Sequence, residues 1–105
     1  MNFEGVLEIA RGMPDVSDAT SARGLALKLN GKLLACKAIN KSAEPNSLMI
    51  RIGGKERDRL LAAHPKDCYL TEHYRSYPAL LVRLDKVSRK TLKGLLTTAW
   101  QQAQE

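Results

Sequence analysis

Residues 23–39, RGLALKLNGKLLACKAI, set two apolar runs around an Asn30-Gly31 pair. Both residues of that pair tolerate the positive φ of a tight type I′ turn, so the stretch predicts a two-residue β-hairpin. A turn centred there places Leu27 opposite Leu34 and Leu25 opposite Cys36 on one side of the ribbon. Lys28 then faces Leu33, Ala26 faces Ala35 and Gly24 faces Lys37 on the other. One side is aliphatic and the other small and basic. Two hydrophobic runs joined in this way need a second layer to cover them, and the flanking sequence supplies it.

Downstream, 47–52 (SLMIRI) reads as a third strand, with Leu48, Ile50 and Ile52 inward and Met49 and Arg51 outward. NKSAEPN between them is a loop. GGKERDRLLAAHP opens on glycines and stops before Pro65, the pattern of a short helix. CYLT and ALLVRL are two further strands, the second alternating Leu80, Val82 and Leu84 against Leu81 and Arg83. The closing helix has Ser88 as N-cap and Val87 with Leu92 as a hydrophobic staple. Its apolar stripe runs through Leu92, Leu95, Leu96, Ala99 and Trp100. Upstream, Phe3, Val6, Leu7 and Ala10 share one face of a helix over 2–12, capped by Asn2 and stopped by Gly12 and Pro14. PDVSDATSA, polar and turn-rich, reads as a loop. The expected order is α-β-β-β-α-β-β-α in one domain spanning 1–105. It is an α+β two-layer sandwich with helices on one face of an antiparallel sheet and the other face toward solvent.

The chain is 105 residues long with a formal net charge of +6, and 27% of it is charged. The excess is local: residues 21–66 carry ten basic and three acidic groups, whereas 1–20 carry one and four. Such a balance favours polyanionic partners. No run approaches the roughly 20 apolar residues a membrane span needs. The opening MNFEGVLEIARG lacks a basic region ahead of an apolar run, so no secretory signal is expected and the cytoplasm is the expected compartment. Cys36 and Cys68 stand 32 apart, neither a redox pair nor a zinc spacing, and read as small core hydrophobes. No nucleophile–base set, metal-ligand motif or phosphate loop occurs, so no catalysis is expected. Glu4, Glu8, Asp15 and Asp18 read as solvated surface, and no metal or cofactor is expected.

Two clusters carry what functional signal there is. The first is EHYRSYP, 72–78, since all three tyrosines fall between 69 and 77. His73, Tyr74, Arg75, Tyr77 and Pro78 form either a corner that closes the core or the edge of a ligand surface. The second is the outer strand face, where Lys28, Lys37 and Arg51 fall in phase and Arg83 lies on a neighbouring strand. That face is either solvated or a surface for phosphate contacts.

In CYLTEHYRSYPALLVRL, GMPDV, NGKLLA, KERDRLLAAHP and a final helix ending in tryptophan, the chain resembles the MmcQ/YjbR family of small bacterial proteins over nearly its whole length. The resemblance implies a compact α+β fold similar to frataxin and type III secretion chaperones. It also implies DNA binding, a label the family carries from a predicted double-wing likeness. The strand before the hairpin is all aliphatic here, where relatives often carry aromatics. The leading expectation is weak, salt-sensitive, mostly phosphate-directed DNA binding. The alternative is a protein-interaction module of chaperone-like fold.

Overall fold

The computed structural model describes residues 1–104. Its elements run α1 (Phe3–Arg11), β1 (Val16–Ser21), β2 (Gly24–Leu29), β3 (Lys32–Lys37), β4 (Ser47–Ile50), α2 (Gly54–Ala63), β5 (Cys68–Tyr69), α3 (Glu72–Arg75), β6 (Leu80–Arg83) and α4 (Arg89–Ala103). The six strands form one sheet in the order β1-β2-β3-β4-β6-β5, antiparallel at every pairing. The α+β sandwich and the order of its main elements are those expected. The sheet gains β1, and the 72–78 corner contains the single helical turn α3.

The helices are capped as the sequence dictates. The side chain of Asn2 accepts from the Gly5 N–H, and that of Ser88 from the Thr91 N–H, each satisfying an otherwise orphaned donor. Val6, Ile9 and Ala10 of α1 and Leu92, Leu95, Leu96 and Ala99 of α4 are buried. They pack with Leu60 of α2 on the sheet positions Leu25, Leu27, Leu34, Leu48, Ile50, Leu80 and Val82, which makes the main core.

The segment read as a loop over 14–22 is a correction. Val16–Ser21 pairs residue for residue with β2, from Val16 opposite Leu29 to Ser21 opposite Gly24. Ser17, Asp18 and Ser21 are exposed and, among the described residues, Val16 alone reaches the core, so the strand carries no hydrophobic alternation to read locally. The free edge of β2 supplies the pairing.

The hairpin is a second correction. Asn30 (φ 50°) and Gly31 (φ 84°) do turn the chain in two residues, with Leu29 opposite Lys32 and Lys28 opposite Leu33. Beyond that the register slips by one, and Leu27 lies opposite Ala35 and Ala26 opposite Cys36. Leu34 is the extra residue of a β-bulge. The bulge lets both Leu34 and Ala35 enter the core, at 1% and 0% exposure. It therefore inverts every later residue of β3. Cys36 turns to the outer face, and Lys37, paired with Leu48, turns to the helix side.

The outer face is not uniformly open to solvent either. Met49, Tyr74, Ala79 and Leu81 form a second buried cluster there, flanked by Leu33, Cys36, Ala43 and Tyr69. α3 and the 38–46 loop lie over the β3–β4–β6–β5 end of that face.

Candidate ligand-binding cleft

α3 is held at both ends. Thr71 caps it, its hydroxyl accepting from the Tyr74 N–H. Arg57, reaching across from α2, donates through Nη1 to the carbonyls of Tyr77 (2.6 Å), Arg75 (3.3 Å) and Ala79 (3.3 Å). One guanidinium thus gathers the backbone of the whole turn between α3 and β6. Its Nε is buried and makes no hydrogen bond among the described residues.

Within this frame the motif residues part company. Tyr74 points into the second cluster at 9% exposure, and its hydroxyl accepts from the Asn40 N–H at 3.3 Å. Tyr77 points outward at 52% exposure. His73 stands between them, edge-on to Tyr74 with centroids 4.8 Å apart, and 5.7 Å from Tyr77. Arg75 lies 3.8 Å from Glu72 in an exposed pair, which contributes little in water. Pro78 starts the return into β6. The segment is therefore divided: Tyr74 closes a core, while His73 and Tyr77 remain at the surface.

Beside them opens a cleft of about 310 Å³, floored by Leu33, Met49 and Ala79 and rimmed by Arg51, His73, Tyr77 and Pro78. Across the shared rim of Leu33, Arg51 and Pro78 lies a second hollow of about 430 Å³, beneath Lys32 and the end of α4. Among the described residues, no carboxylate lines either one.

The four basic residues expected on one face are dispersed. Arg51 is exposed and lies on the cleft rim. Lys28 is exposed and directly opposite Leu33, so its side chain shares the outer face beside the cleft. Lys37 is not on that face: the bulge turns it to the helix side, where Nζ lies 5.9 Å from the centre of the Phe3 ring. Arg83 is on the outer side but engaged. It donates to both carboxylate oxygens of Glu44 at 2.9 Å and to the Lys66 carbonyl at 3.1 Å, and stacks 4.3 Å over the Tyr69 ring. Those hydrogen bonds hold the Glu44 carboxyl below its ordinary range. A bidentate arginine–carboxylate pair leaves little net charge for a phosphate.

Sequence reasoning missed Arg57, because its partners lie 18 to 22 residues away and no local pattern marks the connection. It also missed Tyr69, whose hydroxyl accepts from the Glu44 N–H at 2.8 Å and hydrogen-bonds Ser47, tying the 38–46 loop to the sheet. Among the described residues, no three His, Cys, Asp or Glu side chains gather as metal ligands. Both cysteines are free. Burial, assisted by the Asp67 charge, pushes the Cys68 thiol up to about 11, and burial raises Cys36 as well. Among the described residues, no helix is long and apolar enough to cross a membrane.

No protein-family model and no curated protein matches the chain. Among solved structures, it is similar to the crystal structure of the Deinococcus radiodurans protein DR2400, a DUF419 domain. The likeness covers 94% of this chain and 75% of that one, with a TM-score of 0.69 at 17% identity. It extends to the fold.

Proposed function

We propose that this chain is a small cytoplasmic nucleic-acid-binding domain of the MmcQ/YjbR type, acting by binding rather than by catalysis. The observation that carries the reading is the pair Lys28 and Arg51. They flank Leu33 on an outer face with no carboxylate at the cleft, and neither has an ion-pair partner among the described residues. Two cations on either side of one β3 residue suit backbone phosphates, which require positive charge and little shape. Lys37 and Arg83 drop out of the contact set for the reasons given above.

Two contacts at roughly −0.9 each give a log–log salt slope near −2 for a duplex, with Kd on the order of 10⁻⁴ to 10⁻⁶ M near physiological salt. Lys28→Gln with Arg51→Gln should flatten the slope toward zero, and Lys37→Gln should leave it unchanged. Fluorescence anisotropy over a salt series measures all three. Absence of binding at roughly 50 mM salt, where such contacts are strongest, refutes the reading.

The second reading, a protein-interaction module, draws on the exposed Tyr77 at the mouth of an apolar cleft. Tyrosine and arginine around a hydrophobic hollow are the composition of protein hot spots. Binding through that contact would be nearly insensitive to salt.

A further inference from the structure

Resting on the nucleic-acid reading, we infer that the α3 cleft holds an unstacked base, so that the preferred ligand is a single strand rather than a duplex. Three features of the cleft point the same way. Its aromatic rim is accessible: Tyr77 is half exposed, its hydroxyl makes no hydrogen bond among the described residues, and the His73 ring lies 5.7 Å from it. The rim is also fixed in place. The Tyr77 N–H donates to the Tyr74 carbonyl at 3.1 Å, its own carbonyl is held by Arg57, and Pro78 follows. An aromatic face positioned in advance loses little freedom when a ring stacks on it. Finally, the floor of Leu33, Met49 and Ala79 is neutral, whereas the mouth carries Arg51, with Lys28 beside it. This places an apolar seat for a base next to cations for its phosphates, the pairing that single-strand binders use.

The larger hollow shares the Arg51 rim and carries Lys32 at its edge, so a backbone crossing Arg51 meets a further cation on either side, Lys32 or Lys28. A duplex can reach those cations but cannot offer a base face to the cleft, because its bases are already stacked and paired.

The test compares a short fluorescent oligothymidylate with a duplex of equal length, titrated at low salt against wild type, Tyr77→Ala, Tyr77→Phe and Arg51→Gln. Urea denaturation verifies that each variant is folded. The single strand should bind more tightly than the duplex. Tyr77→Ala should weaken single-strand binding by roughly 5- to 150-fold, the range for losing one stacked base, and leave duplex binding unchanged. Tyr77→Phe should retain single-strand affinity, since the ring and not the hydroxyl makes the contact. Arg51→Gln should weaken both ligands. Equal affinity for the two ligands, or no effect of Tyr77→Ala, overturns the inference and leaves phosphate binding standing. If neither ligand binds, the nucleic-acid reading itself falls, and the protein-interaction reading takes its place.

Discussion

Arg57→Met is the most informative single change, because it keeps an apolar stem while removing the group that ties α2 to the 75–79 turn. The side chain is 18% exposed and its Nη1 serves three carbonyls. The bond to Tyr77 is short; the other two are longer. Hydrogen bonds from a charged donor contribute about 1.5–3 kcal/mol each when buried. The carbonyls of Arg75 and Tyr77 lie near solvent, however, and water can replace part of what they lose. Nε lacks a hydrogen bond among the described residues and lies 3.9 Å from the exposed Asp58 carboxylate, so its removal costs little. A net loss of about 2 kcal/mol follows, with Arg57→Lys losing less, since an ammonium can still reach one carbonyl. For a domain of this size that is a fall in Tm of about 8–16 °C. With a urea m-value of ~1–2 kcal/mol/M, the midpoint should drop by about 1–2 M. Urea denaturation followed by circular dichroism reads the global effect. Hydrogen exchange should show faster opening at Tyr77 and Ala79, whose N–H groups bond within the clamped turn. A midpoint indistinguishable from wild type would mean that water satisfies all three carbonyls equally well and that Arg57 does not organise the corner.

Three further expectations concern the same neighbourhood. Tyr74→Ala should cost about 3 kcal/mol and Tyr74→Phe about 1, because the first empties the second cluster and the second only strips the acceptor from the Asn40 N–H. Tyr77→Ala should cost under about 1 kcal/mol, and equal losses at 74 and 77 in urea denaturation would contradict their assigned orientations. Cys68, its thiol raised to about 11 by burial, should resist a disulfide reagent at pH 8 in the folded protein and react on denaturation. Rapid native labelling at Cys68, read by peptide mapping, would contradict its burial. Glu44, its carboxyl depressed by the Arg83 hydrogen bonds, contributes stability above its ordinary value of 4.5 that is lost as pH falls through the lower folded value. The gap between wild type and Glu44→Gln should therefore be present at pH 7 and close in acid; a gap that widens in acid has the wrong sign.

The sequence by itself determined whatever is settled within a few residues along the chain. The caps at Asn2 and Ser88, the positive-φ turn at Asn30-Gly31 and the i, i+3, i+4 stripe of α4 are local, and each stands where its pattern put it. Alternation in 47–52 and 80–84 likewise sorted Leu48, Ile50, Leu80 and Val82 from Met49 and Leu81, because period two is a property of one strand. Tertiary structure decided the rest. β1 is a strand only because β2 has a free edge for it. The bulge exists because the core beneath α4 takes both Leu34 and Ala35. One extra residue then reverses Lys37, which no reading of local alternation anticipates. The same holds for charge. Arg83 and Lys28 look equivalent in sequence, yet Arg83 meets Glu44 across 39 residues while Lys28 meets no carboxylate among the described residues. The cleft joins Leu33, Arg51 and Tyr77 from three separate segments, and only the assembled sheet brings them together. Hydrophobic periodicity and capping act over one turn or one strand; register, ion pairing and concavity are set by which distant surfaces must be buried together.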